Sequence, residues 1–312
     1  MDIYDGVLSG NKRAVARLIT LVEEGDSDGL KMYERLYSKT GSAKIIGVTG
    51  PPGAGKSTLL GLLAEKYIDD GFRVGIIAVD PTSPFSGGAV LGDRIRMKEI
   101  SGREGCFVRS MASRGQLGGL SRGALDAVTI LDAAGYDYIF IETVGTGQSE
   151  IDIARYSDMV VLVLVPGLGD DIQAFKAGIM EIGDIIVINK SDYDEAQNTY
   201  ANINSMLSLK NGNKPELLFT NCIDGIGIDE LKDNIQKLLS YRMRQGEIEE
   251  RRKNFYSEEL KRSLCSVVVN SVIDTYEFNR ILNEIGKRNI TPHTGAKMLF
   301  KSLCSGEWEN DL

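Results

Sequence analysis

Metal transfer through imidazole or thiolate ligands has little to work with in this chain. Its 312 residues hold one histidine, His293, and four scattered cysteines, Cys106, Cys222, Cys265 and Cys304, with no CxxC pair among them. The same scatter argues against a disulfide framework, so reduced thiols in a cytosol are the simple reading. His293, in the string NITPHTG, reads as an exposed loop residue. Positive charge is also scarce: 44 acidic residues face 36 basic ones, a net charge of −8. That balance excludes general binding to nucleic acid or to an anionic membrane, while a small polyanion in one local pocket stays compatible. Long apolar runs are missing as well. The longest, Met159 to Val165, is far too short to span a bilayer, and the opening MDIYDGVLSGNKR has no apolar signal-peptide core. A cytoplasmic protein with neither nucleic acid nor membrane as partner is the expectation.

What is present is the grammar of one large nucleotide domain with additions. Residues 1–42 read as a helical extension in which Val15, Leu18, Ile19 and Val22 recur at helical spacing, before Gly25-Asp26-Ser27-Asp28 breaks and recaps the chain. From Lys44 onward short β-branched runs follow: KIIGVTG, RVGIIAVD, YDYIFIET, MVVLVLVP, DIIVINK and ELLFTNC. Between them lie helical stretches at Lys56 to Asp69, Leu120 to Ala134, Asp171 to Ile182 and Gly227 to Ser240. Continuous apolar strands alternating with helices predict an α/β fold: a doubly wound, mostly parallel sheet of the P-loop NTPase kind over residues 43–240. Residues 241–312 lose the strands. Their charged string EIEERRKNFYSEELKRSL reads either as a helical element for dimerisation or docking, which would make the protein a homodimer, or as a solvated helix on its own domain.

The chemistry starts where the first strand ends. Ile45 to Val48 lead into Gly50-Pro51-Pro52-Gly53-Ala54-Gly55-Lys56-Ser57-Thr58, the GxxxxGK[ST] pattern in its required strand-to-helix setting. Backbone N–H groups converge on phosphate oxygens there, and a side chain at the glycines would intrude. Lys56 is then the point charge on the outer phosphates and Ser57 the hydroxyl ligand of Mg²⁺. Magnesium takes oxygen ligands, so carboxylates near strand ends are the further candidates: Asp80 after RVGIIAV, Asp93 in SGGAVLGDR and Glu142 after YDYIFI. Each of these also suits an ordinary helix cap.

Base choice is carried by Asn189-Lys190-Ser191-Asp192, an NKxD string after the strand DIIVI. A carboxylate accepts two hydrogen bonds from guanine N1–H and its 2-amino group, whereas adenine presents a lone pair at N1 and no 2-amino group. A buried acceptor left unpaired is costly, so Asp192 favours GTP over ATP. Lys190 would pack its stem along the base, Asn189 would tie this loop to the P-loop, and amides at Asn221-Cys222-Ile223 could touch the base oxygen. The segment from Glu142 to Glu150 reads as a switch, with Gly145 where an amide could meet the γ-phosphate and Gln148 nearby. Its far end also reads as a helix cap through Ser149 and Glu150.

Taken together, TGPPGAGKST, VDPTSPFSGGAVLGDRIRM, RSMASRGQLGGLS, ETVGTGQSE and PGLGDDIQAFKAGIMEIGD ahead of NKSD resemble the MeaB/ArgK family of GTPases over nearly the whole chain. That family is associated with methylmalonyl-CoA mutase and was once described as transport ATPases or kinases. The resemblance implies a GTPase that acts as a chaperone, controlling cofactor loading, protection or reactivation of an adenosylcobalamin-dependent acyl-CoA mutase. It implies phosphate and magnesium roles for Lys56 and Ser57, acidic positions around the metal and γ-phosphate at Asp80, Asp93 and Glu142, and guanine contacts by Asn189, Lys190 and Asp192. It also implies that Asp170, Gln173 and Lys176 lie in an additional switch coupling nucleotide state to the mutase. Asn221-Cys222 departs from the Ser-Ala common in related GTPases. Gln148 stands three residues beyond Gly145, which implies weak intrinsic hydrolysis accelerated on complex formation. Two other classes compete: nickel-delivery GTPases, which need clustered soft or imidazole ligands, and the older transport-associated ATPase or kinase reading.

Overall fold

The computed structural model describes residues 2–80, 98–112, 121–143, 148–167, 179–208, 214–273 and 275–305. The expectations for Asp93, Gly145, Asp170, Gln173 and Lys176 lie outside the described residues, and Asp80 and Gln148 are described in their backbone only. The chain divides into two compact units, Met1–Arg252 and Lys253–Leu312.

The first unit opens with three helices, α1 (Ile3–Leu8), α2 (Lys12–Glu24) and α3 (Ser27–Tyr37). Local chemistry sets their ends. The Asn11 side chain accepts hydrogen bonds from Arg13 and Ala14 N at the start of α2, and Gly25 stops that helix in the left-handed region at φ 74°. Asp26 then caps α3 by accepting from Asp28 and Gly29 N at 3.1 and 2.9 Å. The apolar faces of these helices, with Val7, Val15, Leu18, Ile19, Val22 and Leu36, pack into one core with the sheet.

Among the described residues seven strands follow: β1 (Lys44–Thr49), β2 (Val74–Asp80), β3 (Cys106–Ala112), β4 (Tyr138–Thr143), β5 (Met159–Leu164), β6 (Ile185–Ile188) and β7 (Glu216–Phe219). They form one sheet in the order β3-β2-β4-β1-β5-β6-β7, with every pairing parallel. The sequence runs had marked six of these. The seventh, β3, is the edge strand CFVRSMA, whose Arg109 and Ser110 interrupt the apolar run that betrays the others. The intervening helices are α4 (Lys56–Asp69), α5 (Lys98–Ser101), α6 (Arg122–Ala133), α7 (Gln148–Tyr156), α8 (Ile179–Ile182), α9 (Ala196–Ser208) and α10 (Ile228–Gln245).

Strand alternation sorts the core into layers. On one face Ile46, Val48, Phe140, Val161 and Val163 meet Leu59, Leu60, Leu63 and Tyr67 of α4 and Leu231, Ile235 and Leu239 of α10. On the other, Ile45, Ile77, Ile139 and Ile141 meet α6, Ile153 of α7 and the N-terminal helices. Neighbouring Leu162, Leu164, Ile186 and Ile188 bury Ile203 and Leu207 of α9. Successive connections run to opposite sides of β1, so the carboxyl end of β1, between β4 and β5, is the switch point where such sheets bind ligands. The glycine-rich string begins there.

The last three helices among the described residues are α11 (Glu247–Val272), α12 (Tyr276–Gly286) and α13 (Pro292–Ser305). The boundary between the units falls within α11, after Arg252. Within the second unit α11 exposes Leu260, Leu264 and Val267, an apolar stripe at helical spacing. No described helix is long and apolar enough to cross a membrane.

Candidate functional site

The loop after β1 needs its glycines for two separate reasons. Gly50 has φ 144°, and a Cβ there would lie 2.0 Å from the carbonyl oxygen of Val163 on β5. At Gly55, with φ 86°, a Cβ would lie 2.4 Å from Asn189 Nδ2. Glycine thus lets the loop curl tightly against β5 and against the base-reading string at once. Lys56 and Ser57 open α4 and are both buried, while Thr58 is exposed. The Lys56 ammonium donates to the carbonyls of Gly50 and Pro51 at 2.9 and 3.0 Å. The charge is therefore held inside the loop, where it closes the ring of backbone that forms the cradle.

The Ser57 hydroxyl donates to Glu142 Oε1 at 2.7 Å, with both residues buried. That contact joins α4 to the end of β4, and beside it the Thr143 hydroxyl donates to Thr49 at 3.1 Å. The sequence reading placed Ser57 and Glu142 near one metal and the fold brings them together. The Thr49–Thr143 pair escaped it, because a threonine at a strand end has many uses.

Asn189, 2% exposed, ties three segments together. Its Nδ2 donates to Ala54 O of the glycine loop at 2.8 Å. Its Oδ1 accepts from the Thr220 hydroxyl at 3.1 Å and from the Cys222 thiol at 3.2 Å. Burial raises the Cys222 thiol to about 11, with the Asn189 hydrogen bond acting in the opposite sense, so the sulfur keeps its proton and remains a donor. Lys190 sits in the left-handed region at φ 58°, turning the chain so that Ser191 N donates to Thr220 O at 3.1 Å and leaving Asp192 exposed.

The loop after β7 is locked by its own asparagine. Asn221 N donates to Ile226 O at 3.0 Å, and the Asn221 side chain accepts from Ile223 N at 2.9 Å while donating to Asp224 Oδ2 at 2.6 Å. Of the three amides proposed for the base oxygen, those of Asn221 and Ile223 are thus spent inside the loop. The amide of Cys222 has no hydrogen bond among the described residues. The Ile223 side chain projects from this loop, 89% exposed.

With this geometry in view, similarity to known proteins is decisive. The family described as methylmalonyl Co-A mutase-associated GTPase MeaB matches residues 15–277. The chain belongs to the MeaB family of GTPases. A putative GTPase of Pyrococcus abyssi is 45% identical over 98% of this chain and 97% of its own length. The GTPase ArgK of Escherichia coli is 33% identical over 94% and 93%. Among solved structures, one titled as an LAO/AO transport system kinase covers 96% of both chains with a TM-score of 0.73 at 27% identity. This MeaB-family chain is accordingly a P-loop GTP hydrolase on an α/β fold, and GTP and GDP are its nucleotides.

Proposed function

We propose that GTP hydrolysis by this MeaB-family protein controls cofactor loading, protection or reactivation of an adenosylcobalamin-dependent acyl-CoA mutase, such as methylmalonyl-CoA mutase, in the cytoplasm. The single observation supporting this client is the family match over residues 15–277, whose name couples the GTPase to that mutase. An exposed apolar stripe on α11, Leu260, Leu264 and Val267, supports a homodimer built through the second unit.

The site's own residues suit the chemistry. Lys56 exchanges the Gly50 and Pro51 carbonyls for outer phosphate oxygens when nucleotide enters, trading neutral acceptors for charged ones. Ser57 and Glu142 offer a hydroxyl and a carboxylate from adjacent elements, the hard oxygen donors Mg²⁺ requires, and Asp80 and Asp93 complete the acidic set. When bound, that ion would neutralise charge on the outer phosphates. Asp192 reads guanine N1–H and the 2-amino group, Lys190 packs along the base, and the Cys222 amide serves the base oxygen. Through Asn189 and Ala54, base reading and phosphate cradle form one rigid assembly. Gly145 and Gln148 serve the γ-phosphate side.

Asp170, Gln173 and Lys176 are assigned to mutase coupling. The test is GTP turnover with and without the cognate mutase. The mutase is expected to raise turnover, and Gln173→Ala or Lys176→Ala to weaken that stimulation more than it weakens GTP binding. Equal stimulation by an unrelated protein overturns the assignment.

A further inference from the structure

Helix α7 begins at Gln148. Its middle is pinned to the sheet: Ile153 is fully buried, and a Cβ on Gly47 of β1 would lie 2.7 Å from Ile153 Cγ1. Its far end is held by side chains of two elements: the Tyr156 hydroxyl donates to Leu125 O of α6 at 3.5 Å, and an arginine reaches it from the other side. Arg251, near the start of α11, donates from Nη2 to Ala154 O at 3.1 Å and from Nη1 to Asp158 O at 3.0 Å. The last carbonyls of a helix have no partner within it, and a guanidinium there satisfies them and complements the helix dipole. The same Nη1 reaches Asp184 Oδ2 at 3.4 Å, which fixes the fork on the sheet. Arg242 is its neighbour and its natural control. Arg242 donates to Asp158 O at 3.0 Å and to Asp184 Oδ1 at 2.6 Å, and neither bond goes to α7.

We propose that Arg251 is a positioning residue for GTP hydrolysis, which holds the C-terminal end of α7 and thereby fixes the helix whose first residue is Gln148. This rests on the reading that the segment between Glu142 and α7 answers to the nucleotide. A pinned centre and a clamped end leave the helix one orientation. Removing the Arg251 contacts loosens that end of the helix, and misplacement of a catalytic segment lowers the rate rather than nucleotide affinity.

The experiment compares Arg251→Ala, Arg251→Lys and Arg242→Ala in the full chain, each confirmed folded by circular dichroism. Single-turnover GTP hydrolysis, affinity for a fluorescent GTP analogue and urea unfolding are measured. Arg251→Ala is expected to slow hydrolysis on the order of tenfold while GTP affinity stays within about twofold. Arg251→Lys, with one ammonium able to serve one of the two carbonyls, recovers part of the rate and carries the test if the alanine variant does not fold. Arg242→Ala is expected to lower the urea midpoint with hydrolysis kept within about twofold. Equal slowing in Arg242→Ala and Arg251→Ala, or a wild-type rate in both Arg251 variants, overturns the proposal. Amide exchange across 148–156 with GDP and with a non-hydrolysable GTP analogue separates the two readings. No difference between the nucleotides sinks the switch itself, and a difference with wild-type hydrolysis in the Arg251 variants sinks only the role of Arg251.

Discussion

The two ends of the same sheet are built on opposite plans. At the carboxyl ends of β1, β4 and β6, polar groups meet through contacts that a ligand can replace: Lys56 on two carbonyls, and Ser57 on Glu142. At the amino ends, carboxylates are locked to backbone and arginine. Asp132 accepts from the amides of Gly41, Ser42 and Ala43 ahead of β1. Asp158, 1% exposed, accepts from Ile45 N at 2.8 Å and from Nε and Nη2 of Arg252 at 2.8 and 2.7 Å. Arg252 also donates to Gly41 and Ala43 O, while Asp184 pairs with Arg242 at 2.6 Å and accepts from Val160 N. A protein that must exchange partners at one edge fastens the other.

The comparison breaks most visibly at Asp158. Asp158→Ala removes the buried carboxylate shared by the Arg252 guanidinium and the Ile45 amide, and a loss of about 3–5 kcal/mol in urea unfolding is expected. Nucleotide binding by the fraction that remains folded should be little changed. A loss below about 1 kcal/mol would place this pair with weak surface bridges. Lys56→Ala should do the reverse: GTP hydrolysis falls by about a thousandfold, roughly 4 kcal/mol of transition-state stabilisation, while the urea midpoint without nucleotide moves far less than in Asp158→Ala. A Lys56 variant that unfolds as readily as the Asp158 variant would erase the distinction between the two edges.

Sequence reading sees these edges unequally, for physical reasons. The glycine loop is a local object: its φ values and its lysine lie within eight consecutive residues, and the pattern is legible without the fold. The same holds for the buried strands, whose continuous apolar runs marked six of seven, and for the Gly25-Asp26 stop and recap. The clamp at the amino edge joins Gly41, Asp158 and Asp184 to Arg242, Arg251 and Arg252, residues scattered along the chain, and an arginine in EIEERRKNFY reads only as a charged helix. The Asn189 centre is intermediate. Its link to the P-loop was legible from the string NKSD, but the two donors that orient its amide, Thr220 and Cys222, come from another strand end and are ordinary residues in ordinary text.

Two substitutions sharpen the picture within the exchangeable edge itself. Asp192→Asn places an amide donor against the guanine N1–H or 2-amino donors, and GTP affinity is expected to fall about a hundredfold, near 2.7 kcal/mol, with the apo protein's stability unmoved because Asp192 is exposed. Comparison of GTP and ATP binding in this variant checks the role, since adenine has nothing to lose.

Cys222→Ala is the subtlest case. It removes one of two donors to Asn189 Oδ1 and leaves Thr220, so a loss of about threefold in GTP affinity is expected, near 0.7 kcal/mol, with Cys222→Ser closer to wild type. The pH dependence separates a donor from a mere space-filler. With the folded thiol raised to about 11 from an ordinary 9, the proton stays on sulfur and GTP affinity should hold flat from pH 7 to 9. Above pH 9 the unfolded chain releases that proton before the folded one does, so fewer protons are bound on unfolding and stability falls as pH rises. In Cys222→Ala that part of the fall should be absent, and an unchanged alkaline slope would mean that burial does not hold the proton on this sulfur.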